Sequence, residues 1–380
     1  MADPLHRLTI DDLRRRTSAK WRAHPSDVLP LWVAEMDVPL APPVAAAINR
    51  AVELGDTGYP AGPEAYAAAF ADFATRRWGW RADPERMRLV PDVMTGAVEL
   101  LGLVTGPGDA VVVNPPVYPP FFGYLHHVGR RVVEAPLGGD GRLDLDALEQ
   151  AFAAARSEGR PAAFLLCSPH NPTGAVHTVD ELAAVAALAT HHGVRVIADE
   201  IHAPVVRSGH RFVPYLTVAG SDDAFVVTSA SKGWSLAGCK AGMLLAGPAA
   251  ATELATLPEI VGHGASHLGV VAHTAAFAAG GPWLDAVLAG LERNLEVFER
   301  LLGEHLPDVR YQPGAGTYLA WLDVRDTPVA HDPAAAYLRA GVACSDGASF
   351  GPAGAGHVRL NLATSPAVLE EAVVRMGRAR

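Results

Sequence analysis

The sequence predicts an α/β protein: a large unit on a central, mostly parallel sheet, then a smaller α+β unit at the C-terminal end. Three observations predict it. The chain has 380 residues, enough for two packed units at about 150 residues per domain. Between residues 41 and 272, short β-rich runs alternate with helical patterns, as in parallel βαβ units. From 273 to 380 the pattern changes to one long amphipathic stretch followed by separate strand-like runs.

Residues 1–40 read as an N-terminal arm. The basic cluster Arg14-Arg15-Arg16 precedes a proline-punctuated apolar stretch, Leu29 to Pro39, that suits packing on another surface. In 41–272 the strand-like runs are Val111–Val113, Arg131–Glu134, Ala163–Leu166, Val194–Ile197, Phe225–Thr228 and Ala241–Leu245. Thr178-Val-Asp-Glu181 opens an Ala/Leu-rich segment as a capping box with Glu at N3, and Gly193 closes it. In the last part, the amphipathic stretch covers Trp283 to Leu302, and strands are expected at Thr317–Leu322 and His357–Asn361. No repeat or low-complexity linker separates the units, so they should share a broad interface.

Composition removes several classes of function. Lys plus Arg number 31 and Asp plus Glu 41, a formal net charge of −10. Nucleic acid asks for a basic face that displaces counterions, and an anionic membrane surface asks the same. Neither is expected as a partner. No apolar run reaches the roughly 18 residues of a membrane span. The opening, Met1-Ala-Asp-Pro-Leu-His-Arg7, lacks the apolar core of a signal peptide, so a cytoplasmic protein is expected. Cys167, Cys239 and Cys344 are odd in number and far apart, with neither a disulfide framework nor a zinc spacing. Only three of the 31 basic residues are lysines: Lys20, Lys232 and Lys240. Arg has no titratable primary amine, so a retained lysine is a candidate for chemistry. For Lys20, between Ala19 and Trp21, composition bias is explanation enough. Context decides the other two.

Lys232 lies in Thr228-Ser-Ala-Ser-Lys-Gly-Trp, directly after an apolar strand, where α/β sheets bind ligands. A desolvated lysine there can form a Schiff base, although such strings are more often ordinary loops. Ser229, Ser231 and Lys240 could bind a phosphate nearby. Asn171, in Cys167-Ser-Pro-His-Asn-Pro-Thr-Gly174, sits between two prolines that fix its direction; it is either a donor–acceptor for a ligand oxygen or a plain Asn-Pro turn. Asp199 ends the run Val194-Arg-Val-Ile-Ala-Asp. A carboxylate there needs a cation: a protonated ring nitrogen, a salt bridge or a metal. His202 reads as a packing residue. In Leu89 to Leu101, a strand, a turn and a helix start would leave the amides of Val93, Met94 and Thr95 pointing at an anion. His263 and His267 stand four apart without a third ligand, so no metal site is expected. Gly351 to Gly356 reads as a lead-in to the strand bearing Arg359, and Cys239 as small packing.

In this order and spacing, these elements resemble the fold-type I pyridoxal-phosphate (PLP) enzymes of the class I/II aminotransferase superfamily, over nearly the whole chain. More closely, the chain resembles the branch of cystathionine β-lyases and related carbon–sulfur lyases. The strings are Leu31-Trp-Val-Ala-Glu-Met-Asp37, Gly58-Tyr59, Asn114-Pro-Pro-Val-Tyr118, the Asn171 turn, Ile197 to His202, Thr317 to Asp323 and Val358-Arg-Leu-Asn361. The resemblance implies an aminotransferase-like fold, the cofactor pyridoxal 5'-phosphate, and β-elimination from L-cystathionine or a similar cysteine S-conjugate. Transamination is the alternative, and a PLP-binding regulatory protein a third. It implies that Lys232 is the Schiff-base lysine and that Asp199 pairs with the pyridinium nitrogen. Asn171 would bond the ring oxygen, and Tyr118 would stack on the ring. The phosphate would take the amides of Val93 and Met94, the hydroxyls of Ser229 and Ser231, and Lys240, where many members carry Arg. Tyr59 would reach it from the neighbouring subunit of a homodimer, and Arg359 would hold the carboxylate of a small amino-acid substrate.

Overall fold

The computed structural model describes residues 3–379. Its strands, in chain order, are β1 (Leu29–Pro30), β2 (Met87–Val90), β3 (Ala110–Val113), β4 (Arg131–Glu134), β5 (Ala162–Cys167), β6 (Arg195–Asp199) and β7 (Phe225–Thr228). They continue as β8 (Gly242–Ala246), β9 (Arg310–Tyr311), β10 (Leu319–Asp323), β11 (Val342–Ala343), β12 (Ser345–Asp346) and β13 (His357–Asn361). A seven-stranded sheet has the order β2-β8-β7-β6-β5-β3-β4. Its strands share one direction except β8, which is antiparallel to both neighbours.

The apolar runs become strands because both faces of this sheet are covered. Along β5, Ala162, Phe164 and Leu166 enter one core, while Ala163, Leu165 and Cys167 enter another. This is the two-residue alternation of a pleated strand, with no polar side to interrupt it. Helices Glu64–Trp78, Leu145–Arg156, Val179–His192 and His267–Ala279 pack on the first face, and Val93–Val104 and Pro120–His127 on the second. The capping box of Thr178 and Glu181 forms, and Gly193 closes that helix at φ +66°. Gly96 lets helix Val93–Val104 lie close on β8; a Cβ there would stand 2.5 Å from a Leu244 methyl.

The second sheet, β12-β13-β10-β9, is antiparallel. The expected strand at Thr317 starts two residues later, because Thr317 adopts φ +65°, outside strand geometry. The arm is woven into the molecule: β1 pairs in parallel with β11, and Leu13, Trp21, Leu29 and Leu31 join the core under the second sheet. Helix Gly281–His305 spans both parts. Its Trp283, Leu284 and Val287 belong to the large core, its Phe298 and Leu301 to the small one. The expected boundary at 272/273 falls within helix His267–Ala279. Among the described residues, no helix is long and apolar enough to cross a membrane.

Candidate active site

The topology brings the candidate residues to one edge. The carboxyl ends of β5, β6 and β7 are in register, with Cys167 opposite Asp199 and Asp199 opposite Val227. From these ends the chain continues to Asn171, past Asp199 to His202, and to Ser229 and Lys232. At the same edge β3 runs on to Tyr118, and β2 to the helix that starts at Val93. Because β8 runs backwards, its first residue Gly242 pairs with Val90, so Lys240 also arrives at this edge. Arg359 comes from β13 of the second sheet.

Asp199 is 4% exposed and accepts a hydrogen bond from the Ile201 amide at 3.1 Å. Among the described residues no cation lies at ion-pair distance from it. Burial pushes its carboxyl up to about 6, against the pull of the Ile201 amide and Lys232. Lys232 is half-buried with its amine enclosed, and Nζ donates to the Ala34 carbonyl at 2.9 Å. Burial, then repulsion from Arg359, brings that amine down to about 8, with Asp199 and Glu35 opposing. Arg359 is buried, and burial lowers its guanidinium to about 10. It donates to Asn171 Oδ1 at 2.9 Å, to the Trp32 carbonyl at 3.0 Å and to Ser345 Oγ at 3.1 Å. Its Nε has no partner, and no carboxylate pairs with it among the described residues. Asn171 and Arg359 are thus joined directly, a contact across 188 residues of sequence. Tyr118 lies half-buried against Phe121, its hydroxyl pushed up to about 12 by burial and then by Asp199.

The helix start differs in one respect from its sequence reading. Thr95 does not offer a free amide: Asp92 is the N-cap, and its Oδ1 takes the Thr95 N–H at 2.9 Å. Val93 and Met94 are the first two residues of that helix, so their amides have no acceptor within it. Asp92 Oδ2 holds Lys240 Nζ at 3.0 Å, so the lysine stands beside that helix start. Ser229 Oγ lies 2.9 Å from Ser231 Oγ and donates to the Ala241 carbonyl at 2.8 Å. Tyr59 is 89% exposed on a loop. A cleft of about 280 Å³ beside that loop is lined by Pro60–Pro63, Arg88, Leu89, Leu257–Glu259 and Val261–His263, not by Lys232.

Sequence reading singled out Leu31 to Asp37 as a string of the resemblance but did not foresee how that segment is bound to the site. Residues 32–37 are held by the site's own side chains. Asn361 Nδ2 bonds the carbonyls of Val33 and Glu35, and Tyr318 Oη joins Lys232 on the Ala34 carbonyl. Lys20, set aside on composition, is 1% exposed and forms a 2.7 Å ion pair with the equally buried Asp37. Its signal was partly present: a rare lysine beside Trp21, and an aspartate at the end of the mostly apolar run Leu29 to Met36. His202 is buried with Nδ1 unpartnered and its ring against Tyr318; burial holds it neutral. His263 and His267 fall in different helices and pair with Glu259 and Asp56 respectively. Burial raises the Cys239 thiol, against a thiolate role.

An enclosed lysine and an unpaired buried carboxylate at the ends of β7 and β6, with an unpaired arginine from the middle of β13, make a site suited to small ligands bearing both charges. The family model "Aminotransferase class I and II" matches residues 26–376, and the chain belongs to that family. Within it, the chain is 56% identical over 396 residues to a Mycobacterium leprae protein provisionally named a cystathionine beta-lyase, covering 100% of this chain and 98% of the relative. It is 33% identical over 370 residues to the cystathionine beta-lyase of Corynebacterium glutamicum, covering 97% and 98%. A crystal structure from Corynebacterium diphtheriae, provisionally named a PLP-dependent beta-cystathionase, superposes with TM-score 0.90 at 35% identity, covering 99% and 98%.

Proposed function

We propose that the chain is a PLP-dependent carbon–sulfur β-lyase, cleaving L-cystathionine or a similar cysteine S-conjugate to pyruvate, ammonia and a thiol. The buried charge set carries this reading. A carboxylate at 4% exposure with no cation at ion-pair distance among the described residues suits a protonated ring nitrogen. An enclosed amine lowered to about 8 suits attachment to an aldehyde. Pyridoxal 5'-phosphate combines both groups with a phosphate for the amides of Val93 and Met94, aided by Ser229, Ser231 and Lys240. Asn171, polarised by Arg359, would bond the ring oxygen, and Tyr118 would cover the ring. When bound, the cofactor supplies an electron sink for the substrate α-carbon.

The chain's own residues do the rest. Arg359 presents a guanidinium edge to the α-carboxylate in a bidentate pair. Lys232 Nζ, neutral in a useful fraction near pH 7, takes the α-proton. Departure of the β-thiolate leaves the pyruvate skeleton, and one water releases ammonia. The lyase reading is favoured over transamination by the names of the full-length relatives; without a leaving group the same residues serve an aminotransferase. A homodimer in the cytoplasm is the expected state. Tyr59, Leu54 and Ile260 are large apolar side chains left open on one chain, and Tyr59 would complete the partner's site. We take residues 1–40, 41–272 and 273–380 as arm, large domain and small domain. L-cystathionine alone, with no keto acid, should yield pyruvate and thiol over many turnovers. A stall after one turnover, relieved by 2-oxoglutarate, makes the chain an aminotransferase. Tight PLP binding without turnover makes it a regulatory protein.

A further inference from the structure

Residues 32–37 form a strap across the Lys232 side of the site. Its inner side is gripped by site residues: Lys232 and Tyr318 on the Ala34 carbonyl, Asn361 on Val33 and Glu35, Arg359 and Ser345 on Trp32. Its other support is the arm. Lys20 Nζ reaches Asp37 Oδ2 at 2.7 Å and the Glu35 carbonyl at 2.8 Å, and Trp21 Nε1 donates to Asp37 Oδ1 at 2.9 Å. Arg16 adds bonds to the Met36 and Val38 carbonyls. Ser235, three residues after Lys232, holds the strap from beneath: its Oγ accepts the Met36 N–H at 2.9 Å, and its backbone sits at φ +55°, where a residue with a side chain is uncommon. One short segment is therefore anchored by a buried ion pair at one end and touches the reactive amine in its middle.

We propose that Lys20 and Asp37 are positioning residues: their buried ion pair sets the strap as the wall that keeps water from the Lys232 amine. A buried pair is a weak source of net stability, because each charge loses its hydration. Its use here is to fix a register, placing the Ala34 carbonyl on Nζ. The charged groups that act on that amine are Arg359, Asp199, Glu35 and Lys240, with burial outweighing each of them. If the strap loosens, water replaces the Ala34 carbonyl as acceptor and relieves the burial. Because burial dominates, the amine's midpoint rises toward that of an ordinary lysine.

The inference rests on Lys232 being the reactive lysine, and the test separates the two. The full chain, freed of cofactor, is labelled with an amine-directed reagent across pH, and each of the three lysines is followed by peptide mapping. In the parent, Lys232 should label with a midpoint near 8. The paired variant Lys20→Met with Asp37→Asn removes both charges, so neither is left buried alone. It should move the Lys232 midpoint up by about one pH unit, slowing labelling at pH 7 by about tenfold. Ser235→Ala, which loosens the strap without touching the ion pair, should move it the same way by less, and decides the matter if the paired variant does not fold. Lys20→Arg, which keeps the charge, should restore the midpoint. An unchanged midpoint in the folded variants, even with a lowered melting temperature, reduces Lys20 and Asp37 to a structural anchor and overturns the proposal. A parent Lys232 that titrates near the ordinary lysine value of 10.5 overturns instead the assignment of Lys232 itself.

Discussion

Lys20 with Asp37, and Asp199 with Lys232 and Arg359, are two sets of buried charge in one molecule, built in opposite ways. In the first, both carboxylate oxygens of Asp37 are met, by Trp21 and by Lys20, and the ammonium has two acceptors. In the second, the carboxylate lacks a cation, the guanidinium lacks a carboxylate and its Nε lacks any acceptor among the described residues. Isolated buried charge is costly, and proteins retain it where a ligand or a reaction uses it. A closed pair therefore marks scaffold, and an open set marks a seat. Exposure alone would not separate them, since Asp37 and Asp199 are both buried.

Substitutions can break that contrast. Lys232→Ala should lower lyase turnover by at least about 10⁴-fold, the upper range for a positioned acid–base group; pyruvate release within about tenfold of the parent would remove Lys232 from the open set. At the closed pair, Lys20→Met takes away the buried ammonium and leaves Asp37 only the Trp21 donor and Arg16 at 4.0 Å, and it should cost about 3 kcal/mol, the low end for a broken buried pair, read from urea denaturation. A loss no larger than that of a surface substitution would mean that the pair is not closed in solution.

Asp199 provides the sharper test, since its charge should oppose folding. Its folded-state carboxyl, near 6, lies above the ordinary 3.8, so the folded chain binds the proton more tightly than the unfolded chain. Asp199 should then contribute a fall in the stability of the cofactor-free chain as pH rises from 4 to 6, of about 3 kcal/mol for a difference of this size. Asp199→Asn should remove this contribution, leaving the fall that buried Glu200, pushed up to about 8, adds on its own, and make the cofactor-free chain more stable than the parent at pH 7, while its turnover drops. Lower stability in the Asn variant would show that the carboxylate already has a partner. The smallest change is at Arg359: Arg359→Ala should raise KM for amino acids by about 10- to 100-fold while bound PLP stays near stoichiometric. An unaltered KM would send the carboxylate to the Trp32–Glu35 segment.

The strands of the large sheet were legible because burial on both faces leaves uninterrupted apolar runs, as in Phe225–Thr228. The direction of β8 was not, since an apolar run carries no polarity. Lys232, Asp199 and Asn171 were legible because each follows or ends such a run, where the chain leaves the sheet toward one edge. Their joining to Arg359 required the second sheet, which local pattern does not place. Thr95 was misread because Asp92, one turn earlier, competes for its amide. Lys20 was misread because its meaning lies in Asp37, 17 residues away across an irregular arm that has no period to read.

Among three lysines, only one should carry the cofactor. Borohydride treatment of the PLP-loaded protein, followed by peptide mapping, measures this directly. The label should be found on Lys232, near one per chain, and be absent from Lys20 and Lys240. A label on Lys240, or full labelling retained in Lys232→Ala, would contradict the assignment of the open charge set to the cofactor.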